Sequence, residues 1–113
     1  GQAITVRFEI DGRTFTALNG GPAFTFNESI SFVVDCSSQE EVDRYWAALG
    51  EGGTASQCGW LKDRYEVSWQ VVPSALGGLI GGPDPEGSQR AMQAMLGMKK
   101  LDIAALQKAY DGR

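Results

Sequence analysis

The chain has 113 residues, a length suited to one domain that buries about 65% of its unfolded surface, with an ordinary globular composition. Ten basic residues against fourteen acidic ones leave a net charge of −4 and no basic stripe to displace counterions, which argues against a nucleic-acid partner. No apolar run approaches the roughly 20 residues that span a bilayer, which argues against a membrane one.

The opening GQAITVRF shows no charged-then-apolar signal segment and enters a strand almost at once, so further chain is expected upstream. Ile4, Val6, Phe8 and Ile10 alternate with Thr5, Arg7 and Glu9, the period of a half-buried strand. Asp11-Gly12 is a two-residue hairpin turn, because both positions accept positive φ. The register follows, with Ile10 opposite Arg13, Phe8 opposite Phe15 and Val6 opposite Ala17. One hairpin face is then apolar, and the other carries Arg7, Glu9, Thr14 and Thr16. Asn19-Gly20-Gly21-Pro22 breaks the chain, and Phe24 and Phe26 fall in an extended link.

Ser29 to Asp35 reads as a strand with Ile30, Phe32 and Val34 on one face and Ser29, Ser31 and Val33 on the other. Ser38 with Glu41 forms a capping box, opening a helix whose Val42, Tyr45, Trp46 and Leu49 make one apolar stripe. Gly50, Gly52 and Gly53 end it. Glu51 to Ser56 is a glycine-rich loop or short edge strand, without the Gly-Lys-Ser/Thr ending of a phosphate loop. Cys58 to Leu61 is the next strand, and Lys62-Asp63-Arg64 leads the turn into the last one. There Val67, Trp69 and Val71 face one way and Ser68, Gln70 and Val72 the other, with Pro73 at the end.

Ala75 to Gly82, with four glycines, reads as a linker. Asp84-Pro85 is a helix cap followed by proline at the first helical position, and Met92, Met95, Leu96 and Met98 supply an apolar side. Asp102 caps a further short helix through Ile103, Leu106 and Tyr110. The Met-rich side suits either packing within the domain or an adaptable partner surface.

Two cysteines, Cys36 and Cys58, without a secretory signal read as reduced thiols of a cytoplasmic protein. With no histidine in the chain, a Cys-His nucleophile is excluded. The helix stripe needs the Ile30/Phe32/Val34 and Trp69/Val71 face to bury it. The opposite face, with Ser29, Ser31, Ser68 and Gln70, is left uncovered by that helix and is where a ligand could sit.

FNESISFVVDC, EEVDRYW, QCGWLKDRYEVSWQVVP and DIAALQKAY together resemble the PhnB-like proteins of the vicinal-oxygen-chelate (glyoxalase, bleomycin-resistance, dioxygenase) superfamily, some of which carry a demethylubiquinone methyltransferase label. The resemblance implies an α+β fold built from βαβββ modules whose curved mixed sheet encloses a cleft, here with C-terminal helices. Within one domain of residues 1–113, residues 28–73 match the second module. Residues 3–18 match only the last two strands of the first, and residues 84–111 are the terminal helices.

Metal-dependent relatives place a His or Glu near the start of a module and a Glu in its last strand. Ser29 falls at the first position, beside Glu28, and Gln70 at the second. The pattern DP-x-G-x-x-W-E falls on Asp63 to Gln70, with Glu66 where a turn glycine is usual. Gln70 and Glu28 alone do not make a metal site, so neither metal nor cofactor is expected. The G-x-G-x-x-G context of nucleotide-type cofactors is absent, which leaves methyl transfer without support. The resulting expectation is a small-ligand binding or sequestering protein with a cleft at Glu28, Ser29, Ser31, Trp60, Ser68 and Gln70. Its alternatives are a divergent enzyme of the superfamily using Glu28 or Glu66 as base, and a truncated self-associating domain. A homodimer is expected, because a lone two-stranded hairpin is marginal and needs more sheet.

Overall fold

A computed structural model describes residues 4–113; Ala3, the expected start of the hairpin segment, lies outside them. Strands β1 (Thr5–Ile10) and β2 (Arg13–Leu18) form the hairpin in the register read from the turn, Ile10 opposite Arg13 and Phe8 opposite Phe15. Asp11 and Gly12 hold φ of 50° and 77°, the left-handed pair that lets a two-residue loop follow the twist of its strands.

A second sheet follows, in the order strand, helix, three strands. It contains β3 (Ser31–Cys36), helix α1 (Gln39–Gly50), β4 (Thr54–Ala55), β5 (Trp60–Lys62) and β6 (Ser68–Pro73). The strands lie in the order β3-β6-β5-β4, with β3 parallel to β6 and the other pairs antiparallel. The parallel pair requires a crossover, and α1 supplies it. Ser38 caps α1, its hydroxyl accepting from Glu41 N at 3.2 Å. The other half of the expected capping box is displaced: the Glu41 carboxylate accepts from Ser37 Oγ at 2.6 Å.

Alternation along β3 and β6 sends Val34, Cys36, Trp69 and Val71 toward α1. There Cys36, Val42, Leu61 and Val71 form a buried cluster, with Tyr45, Trp46, Leu49 and Trp69 packed around it. Both tryptophans line this core and stay half-buried.

The segment expected as a linker is instead helix α2 (Leu76–Ile80). Its glycines conceal the reason, which is that Leu76 and Leu79, one turn apart, are both buried. Helices α3 (Pro85–Leu96) and α4 (Ile103–Asp111) begin at Asp84 and Asp102, whose side chains accept from Glu86 N and Ala105 N. Leu76, Leu79, Ala91, Leu101 and Leu106 form a second cluster, joined by Val72 from the sheet face opposite α1 and by Met95 and Met98. That half of the methionine side serves the chain's own core, while Met92 and Leu96 remain exposed. The fold is therefore mixed α+β, a curved mixed sheet with C-terminal helices.

Among the described residues the hairpin forms no strand ladder with the larger sheet. It joins that sheet through a row of rings. Phe8 stacks on Phe15 at 5.6 Å, Phe15 meets Phe32 edge-on at 5.9 Å, and Phe32 meets Trp69 at 5.3 Å. The molecule is elongated as a result, 60 × 27 × 21 Å, with a radius of gyration of 16.9 Å against about 13 Å for a compact chain of this length.

Candidate functional site

Strand pairing assembles the face away from α1. Trp60 lies opposite Gln70 and Lys62 opposite Ser68, while Ser31 lies beside Ser68 across the parallel pair. At the Val72 end this face is covered by the terminal helices. At the Ser68 end it opens into a cavity of about 490 Å³ whose lining includes Glu28, Ser56, Trp60, Lys62, Glu66 and Ser68.

Ser68 forms the floor. It is 1% exposed, and its hydroxyl is buried with no hydrogen-bond partner among the described residues. The sequence reading left Ser68 on the face open to a ligand; Lys62 of the neighbouring strand lies directly opposite it. Leaving a buried hydroxyl unsatisfied costs about 1–3 kcal/mol, so such groups need a reason.

Lys62 Nζ pairs with Glu28 Oε1 at 2.5 Å across the mouth. The hydrogen bond from Lys62, with its charge, holds the Glu28 carboxyl below the usual range, and the same bond raises Lys62. Glu28 is therefore an ionised anchor and a weak base. Glu66 adds a second carboxylate to the cavity and also favours the charged form of Lys62.

Of the expected cleft residues, Glu28, Trp60 and Ser68 come together in the cavity. Gln70 and Ser31 share the same face and satisfy each other, Gln70 Nε2 donating to Ser31 Oγ at 2.9 Å. Ser29 does not line the cavity. It lies in the turn before β3, where its amide and hydroxyl both donate to Asn27 Oδ1, at 2.9 and 2.6 Å. Lys62 and Ser56 were missed. The strand was expected to stop at Leu61, and continuing its alternation from Trp60 by one residue would have found Lys62.

These residues do not fit a divalent metal. Gln70 is committed to Ser31, Ser29 to Asn27 and Glu28 to Lys62. Among the described residues no group of three His, Cys, Asp or Glu side chains converges. They do not fit a nucleotide-type cofactor either: β3 passes into α1 through Ser37-Ser38, and the Glu41 carboxylate occupies the helix start where an anion would be cradled. Both cysteines are free, and burial, aided by the charges of Glu41 and Asp35, pushes the Cys36 thiol up, away from nucleophilic use.

A family model described as 3-demethylubiquinone-9 3-methyltransferase matches residues 1–72, a span that contains the hairpin, α1 and all but the last residue of the larger sheet. The chain belongs to that family. Among solved structures it is similar to the PhnB protein from Bacillus cereus, with 29% identity and a TM-score of 0.58. That match covers 63% of this chain and 64% of the other, so the PhnB-like chain spans less than two thirds of that relative's length. No curated protein matches it. The family match ends at Val72, leaving the terminal helices outside it.

Proposed function

We propose that this PhnB-like chain binds or sequesters a small molecule in the cavity at the Ser68 end of the sheet, using no resident metal. One observation carries the reading: Ser68 presents a buried hydroxyl, unpartnered among the described residues, at the floor of a cavity where Glu28 and Lys62 already pair with each other. A ligand atom that hydrogen-bonds to it removes the desolvation penalty, which makes the group worth more in the complex than in the free protein. The half-buried Trp60 ring offers a flat apolar surface beside it. Two carboxylates, Glu28 and Glu66, against one ammonium, Lys62, disfavour an anion. The ligand class that suits these features is a planar, neutral or cationic molecule with one hydrogen-bonding group on its edge.

The test is a thermal-shift screen of planar heterocycles, repeated on Ser68→Ala. That substitution removes an unsatisfied polar atom, so the variant should be as stable as the parent or up to about 1 kcal/mol more stable. The ligand-induced shift should nevertheless fall, with Kd weakened about tenfold or more. Equal ligand shifts in parent and variant would remove Ser68 from binding and sink the reading.

A further inference from the structure

We infer that Glu66 selects the ligand of the Ser68 cavity, and that this ligand is a planar N–H cation of the amidine or amino-heterocycle class; the inference rests on the reading that the cavity binds a small molecule. Three charged side chains line the cavity, Glu28, Lys62 and Glu66. Two of them are engaged with each other, Lys62 Nζ meeting Glu28 Oε1 at 2.5 Å. The register shows where that pair runs. Lys62 on β5 lies opposite Ser68, and Ser31, three residues after Glu28, lies beside Ser68 on the other flank. The ion pair therefore spans the Ser68 row from one neighbouring strand toward the other. Glu66 belongs to the turn that joins Lys62 to Ser68, at the strand ends. Among the described residues no ion pair includes it, and its charge acts on Lys62 only at longer range. The cavity is left with one uncompensated negative charge, and Glu66 carries it.

The backbone holds that charge in place. Glu66 has a φ of 70°, which disfavours any residue with a side chain. The turn closes without help from that side chain: Glu66 N donates to Asp63 O and Asp63 N to Val67 O, both at 2.9 Å. The Asp63 carboxylate is occupied by the amides of Tyr65 and Val67 and by the Trp69 indole, so it is not available to a ligand. A carboxylate kept at a strained position on a rigid turn, lining a cavity and outside every ion pair described, is explained by a partner from outside the chain. The floor supplies the other contact, since the Ser68 hydroxyl is 1% exposed and unpartnered among the described residues. A planar N–H cation donates along one edge to Ser68 Oγ, rests on the Trp60 ring and sets its charge against Glu66. A neutral molecule of the same shape makes the first two contacts and lacks the third.

Benzamidine, a planar cation at neutral pH, and benzamide, its neutral isostere, separate charge from shape. Calorimetric titration of the whole chain should give benzamidine a Kd about tenfold or more below that of benzamide. Glu66→Gln keeps the size and the backbone conformation, so it should bring the two Kd values within about twofold while leaving that of benzamide unchanged. Ser68→Ala should weaken both probes and preserve their ratio. Because Glu66 is exposed, added salt should narrow the preference of the parent. Equal affinities in the parent, a preference that survives Glu66→Gln, or no binding of benzamidine would overturn the inference. None of these outcomes removes the ligand reading, which fails instead when Ser68→Ala leaves the binding of every planar heterocycle in the screen unchanged.

Discussion

Glu66 sits at φ +70°, the left-handed conformation that a side chain makes costly, at the position where the resemblance expects glycine. The turn around it is held from Asp63, whose Oδ1 accepts from Tyr65 N at 2.8 Å and Val67 N at 3.0 Å, while Oδ2 accepts from Trp69 Nε1 at 2.9 Å. With the turn so determined, the conformation survives the substitution and the strain remains. Glu66→Gly should therefore stabilise the chain by about 0.5–1 kcal/mol, the left-handed penalty less the extra entropy of an unfolded glycine. Urea denaturation measures it, and a loss of stability would mean that the Glu66 side chain contributes more than its backbone costs. Strain of this kind is readable from sequence only by matching a motif. Ser68 shows the limit: alternation places it on the correct face, but nothing in the local pattern reveals that its hydroxyl has no partner.

Between elements, one side-chain amide helps to hold the terminal helices to the sheet layer, beside backbone bonds from Cys58 N to Met98 O and from Gly59 N to Lys99 O, both 2.8 Å. Gln39, at the start of α1, donates through Nε2 to Leu101 O at 3.0 Å and accepts through Oε1 from Ile103 N at 2.8 Å. Ile103 begins α4, so Gln39 satisfies one of that helix's orphan donors. Lys100 adds an ion pair to Asp43 of α1 at 2.9 Å. Gln39→Ala should cost about 1–2 kcal/mol, since it leaves two part-buried backbone groups without partners. Thermal unfolding would show it, and a variant within about 0.3 kcal/mol of the parent would mean that water replaces the amide without loss. None of this docking is visible in the sequence, because Gln39 and Ile103 lie far apart in the chain. The opposite held for the hairpin, where Asp11-Gly12 and strict alternation set every pair locally. Helix α2 was lost between these cases: its burial is long-range and its glycines read as loop.

As a whole the molecule is a sheet with α1 on one face, three helices on part of the other, and a hairpin projecting from one end. Apart from α2, its elements could be read from local signals, whereas the separation of the hairpin and the second core could not, since both depend on which distant surfaces meet. The charges distributed over this frame predict how its stability responds to pH. Glu28, Glu41 and Asp43 all have carboxyls held below their usual range, by hydrogen bonds from Lys62, Ser37 and Gln39 respectively before any other cause. Depressed carboxyls stabilise the fold while ionised, so this contribution is present above their unfolded values and fades as pH falls through the acid range. Cys36 has the opposite sign. Burial raises its thiol, so its contribution is complete below the unfolded thiol value of about 8.5 and fades as the unfolded chain begins to ionise above it. Between these limits the usual titrating group is histidine, and the chain has none. The melting temperature should therefore hold within about 2 °C from roughly pH 5.5 to 7.5. It should decline on both sides, and Cys36→Ala should flatten the alkaline decline while leaving the acid one. A step inside the neutral window, or an alkaline limb unchanged in Cys36→Ala, would show that other ionisations govern the stability of the fold.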